Sequence, residues 1–170
     1  EINVLNKPIG KQDQYAAAFG GLNLIEFNKN GSVSVLPVLL DYYTQKELFG
    51  RLLMFYTGGK RAADSILKQQ VFNIENNKID VNLTKNLVDL TYELHGQLQD
   101  NNIDNIGNIL HQGWQIKKKL SVDITNDYIN KLYDKAIAAG AEGGKLLGAG
   151  SSGFLLFYAN KKFHTSIRNS

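Results

Sequence analysis

The first third of the chain alternates short apolar and polar segments in a pattern that predicts one helix and three strands. The helix covers residues 10–19 and ends at a pair of glycines. The first two strands, 22–27 and 32–36, flank the dipeptide Asn30-Gly31, which is typical of a hairpin turn. The third strand is the continuously apolar segment 52–56.

Beyond these strands the apolar residues recur at helical spacing. Each predicted helix has a single apolar stripe, which must pack against a sheet or another helix. The stripes are Ala63-Leu67-Val71-Ile74, Leu83-Leu87-Leu90-Leu94-Leu98, Ile103-Ile106-Leu110-Trp114 and Ile129-Leu132-Ala136. Two short apolar strands, 145–147 and 154–158, follow, and a polar helical segment covers 161–170. The expected fold is one α+β domain, a small and mainly antiparallel sheet covered by helices.

Composition narrows the class of protein. The chain of 170 residues is 43% hydrophobic and carries a formal net charge of +3, without a clustered basic face of the kind that binds nucleic acid. It has no cysteine, which excludes disulfides and thiolate metal sites, and no apolar run near the roughly 20 residues of a membrane helix. We therefore expect a soluble cytoplasmic protein that binds neither nucleic acid nor a membrane.

Asp13 is the first candidate for chemistry. It lies between Gln12 and Gln14 at the start of the first predicted helix. An aspartate there either stabilises the positive end of the helix dipole or holds a carboxylate at a site. The residue alone does not decide between these interpretations.

A glycine-rich segment between the last two predicted strands is the second candidate. Glycines allow positive φ, so consecutive N–H groups can curl into an anion-binding nest, and two serines could add hydroxyl donors. A tight turn without a ligand has the same composition. The segment consists of Gly148, Ala149, Gly150, Ser151, Ser152 and Gly153.

Other polar positions carry weaker signals. Thr57 and Gly58 form a turn after the third strand, and Arg61 follows where it could bind a phosphate or a sugar hydroxyl, or simply face solvent. The run Lys117–Lys119 predicts a solvated helix face, and Trp114 predicts a core position. The three histidines have no metal-ligand spacing, so no metal site is predicted.

Taken in order, these pieces resemble a known family. The segment 10–21 (GKQDQYAAAFGG), the hairpin, the turn after Tyr56, Trp114 with its lysines, and 143–158 (GGKLLGAGSSGFLLFY) are similar to the C-terminal half of GHMP-type small-molecule kinases. Within that family they look most like bacterial kinases of D-glycero-D-manno-heptose 7-phosphate. The resemblance covers nearly the whole chain and implies a ferredoxin-like C-terminal domain.

The resemblance implies phosphoryl transfer from ATP, with Mg²⁺, to a sugar or sugar-phosphate hydroxyl, with the anomeric position of the heptose expected. It assigns Asp13 as catalytic base or as the group that orients the acceptor. It places the 148–153 loop near the phosphates, and Thr57, Gly58 and Arg61 near the sugar. Such chemistry needs positioning and charge stabilisation rather than a covalent intermediate.

Two features depart from the family pattern. Ser151 and Ser152 occupy places where the family has glycine, and serine resists positive φ, which puts the role of the loop in doubt. The family's Pro-x-x-x-Gly-Leu-Gly-Ser-Ser ATP loop is not in this sequence, and it should lie before Glu1. We therefore expect a fragment that is inactive without its N-terminal kinase half. The alternatives are a free-standing anion or sugar-phosphate binding module and a folding or homo-oligomerisation unit.

Overall fold

The computed structural model describes residues 10–58, 72, 81–120, 122–148 and 150–170. Apart from Phe72, the helix predicted over 63–74 lies outside these residues. The α-helices are α1 (Gln12–Phe19), α2 (Tyr42–Gly50), α3 (Val81–Gln99), α4 (Ile106–Leu120), α5 (Asp127–Ala138) and α6 (His164–Asn169). The strands are β1 (Asn23–Phe27), β2 (Val33–Pro37), β3 (Leu52–Tyr56), β4 (Gly143–Leu146) and β5 (Phe154–Tyr158), and short 3₁₀ turns cover Val122–Ile124 and Lys161–Phe163.

The predicted hairpin is present near the start of the described chain. β1 and β2 pair antiparallel, with Phe27 opposite Val33. Gly31 adopts φ +85° in the turn, a conformation that favours glycine. The helix α1 packs against this hairpin through Tyr15, whose ring meets that of Phe27 edge-on at 5.9 Å between centroids.

The other strands form a second antiparallel sheet in the spatial order β3-β5-β4. Tyr158 of the middle strand lies opposite Leu52 on one side and Gly143 on the other. The α+β class is therefore confirmed, and the described strands divide between two small sheets instead of forming one.

The main core lies between this second sheet and the helices α4 and α5. Its largest members are almost fully buried, which is what a single apolar stripe on each helix requires. They are Trp114, Tyr133, Leu146, Leu155 and Phe157. The predicted core position of Trp114 is confirmed, because only 1% of the residue is exposed.

Close backbone contact joins α4 to the edge strand β4. A methyl group added at Gly143 would lie only 1.8 Å from the carbonyl oxygen of Gly107 in α4. Any side chain at Gly143 would therefore separate the helix from the sheet. This contact brings the first turn of α4 close to β4.

The helix α2 was not predicted. Its start is set by Asp41, whose side chain accepts hydrogen bonds from the backbone N–H groups of Tyr43 and Thr44. Only Leu48 of this helix is buried, so no apolar stripe marks it in the sequence. None of the helices in the described part of the chain is both long and apolar enough to span a membrane.

Candidate functional site

The glycine-rich loop 148–153 is held at both of its ends. The N–H of Leu147 donates to the carbonyl of Phe154 at 2.8 Å, which closes the loop between β4 and β5. At the far end Thr57 and Gly153 exchange bonds: the Thr57 N–H donates to the Gly153 carbonyl at 2.8 Å, and the Gly153 N–H donates to Thr57 Oγ1 at 3.1 Å. The buried Thr57 therefore ties the loop to the end of β3.

Ser151 takes the left-handed conformation that the sequence put in doubt. Its φ is +66°, and Gly148, Gly150 and Gly153 also have positive φ. The Ser151 N–H donates to the carbonyl of Ile124 at 2.7 Å. The N–H groups of Ser151 and Gly153 are thus already used inside the protein, so an anion-binding nest would have to use other groups of the loop.

Lys117 connects this loop to α4. Its ammonium donates to the carbonyl oxygen of Gly148 at 2.8 Å, so the last turn of the helix lies over the start of the loop. The prediction of a solvated face for Lys117–Lys119 is therefore wrong at Lys117 and Lys118, which are half-buried, while Lys119 is exposed as expected. The reason is the contact of α4 with β4, which brings its C-terminal turn against the loop.

Asp13 lies near Lys117, in the exposed first turn of α1. The two side chains are within electrostatic range, and the carboxylate favours the charged form of the ammonium. Lys117 is thus hydrogen-bonded to the Gly148 end of the loop, and Asp13 lies within electrostatic range of Lys117. Thr57 and Gly58 lie at the other end of the loop, and Arg61 and Ala149 are outside the described residues.

A cavity of about 330 Å³ opens beside these groups, between α1, α3, α4 and β4. Leucines of α3 and α4 line one part of it, and the two lysines Lys117 and Lys145 line another together with Trp114 and Gln12. Lys145 comes from β4, where it faces the same side as the end of α4. The cavity therefore combines apolar walls with two cationic groups.

The pKa values of both lysines are lowered. The pKa of Lys117 is lowered to about 8, mainly because burial disfavours the charged ammonium and also because Lys145 is positive; Asp13 opposes the shift. Burial likewise lowers the pKa of Lys145. Perturbed groups that line one cavity make it a candidate functional site.

The lowered pKa of Lys117 predicts that the free energy of unfolding rises with pH between about 8 and 10. In this window the folded chain has released the Lys117 proton, while the unfolded lysine keeps it up to its ordinary pKa of 10.5. The unfolded state then binds more protons, and the free energy of unfolding increases with pH by about 1–2 kcal/mol.

Above pH about 10 the trend should reverse. The pKa of Tyr133 is raised to about 12 in the folded chain, so the unfolded tyrosine loses its proton first.

Urea unfolding at several pH values across this window would measure the effect. Lys117→Met should remove much of the rise, leaving the share that Lys145 contributes. Lys119→Met is the matched control on the same helix, and it should keep the full rise because Lys119 is exposed. An identical pH dependence in both variants would contradict the assignment.

Neither lysine was singled out from the sequence as a site residue, although each left a signal. Lys117 is three residues after Trp114 and so shares its helix face. Lys145 is a charged residue within an otherwise apolar strand segment, which is unusual unless the charge has a partner.

Comparison with known proteins identifies the family of this domain. Residues 94–164 match the family model described as GHMP kinases C terminal. Over 91% of its length the chain is 31% identical to a D-glycero-alpha-D-manno-heptose 7-phosphate kinase of Campylobacter jejuni, of which it covers 46%. The chain carries a GHMP kinase C-terminal domain. The resemblance seen in the sequence is thereby confirmed.

Solved structures agree with this domain assignment. A D-glycero-D-manno-heptose 1-phosphate kinase from Bacteroides thetaiotaomicron superposes with a TM-score of 0.63 at 27% identity, over 98% of this chain and 44% of that one. A mevalonate kinase of L. major shares the fold with a TM-score of 0.71 at 18% identity, over 92% and 46% of the two chains. The chain therefore spans less than half the length of each of these proteins.

Proposed function

We propose that this domain is part of an ATP-dependent sugar kinase that transfers the γ-phosphate to a hydroxyl of a sugar or sugar phosphate. One observation carries the proposal. The ammonium of Lys117 is hydrogen-bonded to the glycine-rich loop and lies within electrostatic range of the Asp13 carboxylate, although the three groups come from distant parts of the sequence. A base near a loop that can approach the phosphates would suit phosphoryl transfer.

In this proposal Asp13 accepts the proton of the acceptor hydroxyl or orients that hydroxyl for attack. Its position in the exposed first turn of α1 leaves the carboxylate accessible to a substrate. Lys117 supplies a positive charge close to the carboxylate and to the loop. Such fixed charges favour a reaction in which negative charge is redistributed.

ATP would supply the phosphoryl group when it is bound. The residues of this chain that fit a phosphate are the half-buried ammonium groups of Lys117 and Lys145 and the left-handed loop at Gly148 and Gly150. Mg²⁺ neutralises phosphate charge in such reactions. The described residues contain no group of three acidic or histidine side chains that could hold a metal ion, so the Mg²⁺ ligands are not assigned to them.

For the acceptor we propose D-glycero-D-manno-heptose 7-phosphate, phosphorylated at its anomeric hydroxyl. The support is the 31% identity to a kinase of this heptose phosphate over 91% of the chain. We also propose that the 170-residue chain alone does not catalyse the reaction, because it corresponds to only 46% of that relative.

The test is an assay of the protein translated from the complete reading frame, with ATP and a panel of sugars and sugar phosphates, in which phosphorus NMR identifies the product. We expect turnover with the heptose 7-phosphate and formation of an anomeric phosphate. The 170-residue chain is assayed in parallel and should show no turnover. Absence of turnover with every acceptor in the full-length protein would overturn the proposal, while another preferred sugar would overturn only the choice of acceptor.

A further inference from the structure

The cationic end of the cavity has more hydrogen-bond donors than acceptors. Each ammonium carries three donors. Lys117 has an acceptor at Gly148, whereas the ammonium of Lys145 makes no hydrogen bond to any residue that the structure describes. The indole N–H of Trp114, on the wall of the same cavity, is buried and also lacks an acceptor within that part of the chain.

Positive charge at this end is also poorly balanced. Lys117 and Lys145 approach closely enough to repel each other, and the nearby opposite charge is that of the exposed Asp13. Burying two like charges is costly unless a counter-ion joins them. An anion with several acceptor oxygens would remove the repulsion and would provide acceptors for the free donors.

We propose that Lys117 and Lys145 form a subsite for the phosphate group of a ligand of this domain. The inference deepens the proposed function, on which it rests for the choice of phosphate over other anions. A phosphate offers enough oxygens for both ammonium groups at once. The leucine-lined walls of the cavity, from Leu87 and Leu90 among others, lower the local dielectric and strengthen these contacts.

Trp114 makes the subsite measurable. It is the single tryptophan of the sequence and lines the cavity beside both lysines. Titration of the chain with inorganic phosphate should therefore change the tryptophan emission in a saturable way. Sodium chloride at matched ionic strength should not reproduce the change.

Variants assign the binding to the two lysines. Lys117→Met and Lys145→Met keep the alkyl stems and should each weaken phosphate binding about tenfold or more, since a hydrogen bond to a charged group is lost. Lys119→Met, an exposed change on the same helix, should leave the dissociation constant unchanged. Lys145→Arg keeps the charge and should restore most of the binding, and circular dichroism checks that every variant is folded.

Two competitors distinguish the source of the phosphate. Displacement of inorganic phosphate by glucose 6-phosphate but not by ADP would assign the subsite to the acceptor, and the opposite result would assign it to the nucleotide.

Equal dissociation constants for phosphate in the folded Lys117→Met, Lys145→Met and unmodified chains would overturn the subsite. A change in tryptophan emission that sodium chloride reproduces would also overturn it. Kinase turnover in the full-length protein without this binding would overturn the subsite alone, and binding without turnover would leave it standing while the kinase proposal fails.

Discussion

Asp13→Asn in the full-length protein should lower the turnover number by about a hundredfold to ten-thousandfold, which is the contribution of a positioned general base. Asparagine has nearly the same shape but cannot take up a proton. Because Asp13 is exposed, the free energy of unfolding should change by no more than about 1 kcal/mol, through the lost helix-dipole contact and the lost attraction to Lys117. Steady-state kinetics would show the loss in kcat, with KM for the acceptor changing much less.

Asp89→Asn is the matched control for this experiment. Asp89 is also an exposed aspartate on a helix, but it belongs to α3, and its replacement should leave kcat unchanged. Near-normal turnover of the Asp13 variant would remove this residue from catalysis and return it to the role of a helix-dipole aspartate. A parallel loss in both variants would point instead to a general effect of the removed charge.

Gly143→Ala should destabilise the domain by about 3 kcal/mol or more. The new methyl group would lie 1.8 Å from the carbonyl oxygen of Gly107, and the obstacle is backbone that no side-chain rotation can relieve. The helix α4 must then move away from β4, carrying Lys117 and Trp114 with it. We expect a lower urea midpoint, together with weaker phosphate binding in whatever fraction remains folded.

Gly113→Ala makes the same change within α4, six residues beyond Gly107. The added methyl group there would meet only Leu87 Cδ2 at 3.8 Å, an ordinary contact. Alanine in a helix interior is favoured over glycine by about 1 kcal/mol. This variant should therefore be as stable as the unmodified chain or more stable. If the Gly143→Ala variant were as stable as the Gly113→Ala variant, this result would contradict the tight packing of α4 on β4.

Sequence patterns predicted those elements that bury a regular stripe or end at strong turn residues. The stripe from Leu83 to Leu98 is α3, and the Asn30-Gly31 turn joins β1 to β2. The helix α2 was missed because it buries only Leu48 and depends on a cap at Asp41. Burial periodicity cannot reveal an element that has almost no buried face.

The candidate site was only partly accessible from the sequence for a different reason. Asp13 and the 148–153 loop carry local signals, namely a helix start and clustered glycines. The role of Lys117 depends on the distance between α4 and β4, which the contact of Gly107 with Gly143 sets. A contact between residues distant in sequence leaves no local pattern, so the lysine run was interpreted as a solvated surface.

The strand order β3-β5-β4 has a consequence for the synthesis of the protein. Of the strands that the structure describes, the middle strand β5 is made last and its neighbour β3 long before it; the bonded pair Thr57 and Gly153 are 96 residues apart. At ribosomal rates of about 5–20 residues per second, β3 waits roughly 5–20 seconds for its partner. During this time the apolar strand β3 has no pairing partner among the strands that the structure describes, and an unpaired apolar strand is prone to aggregation.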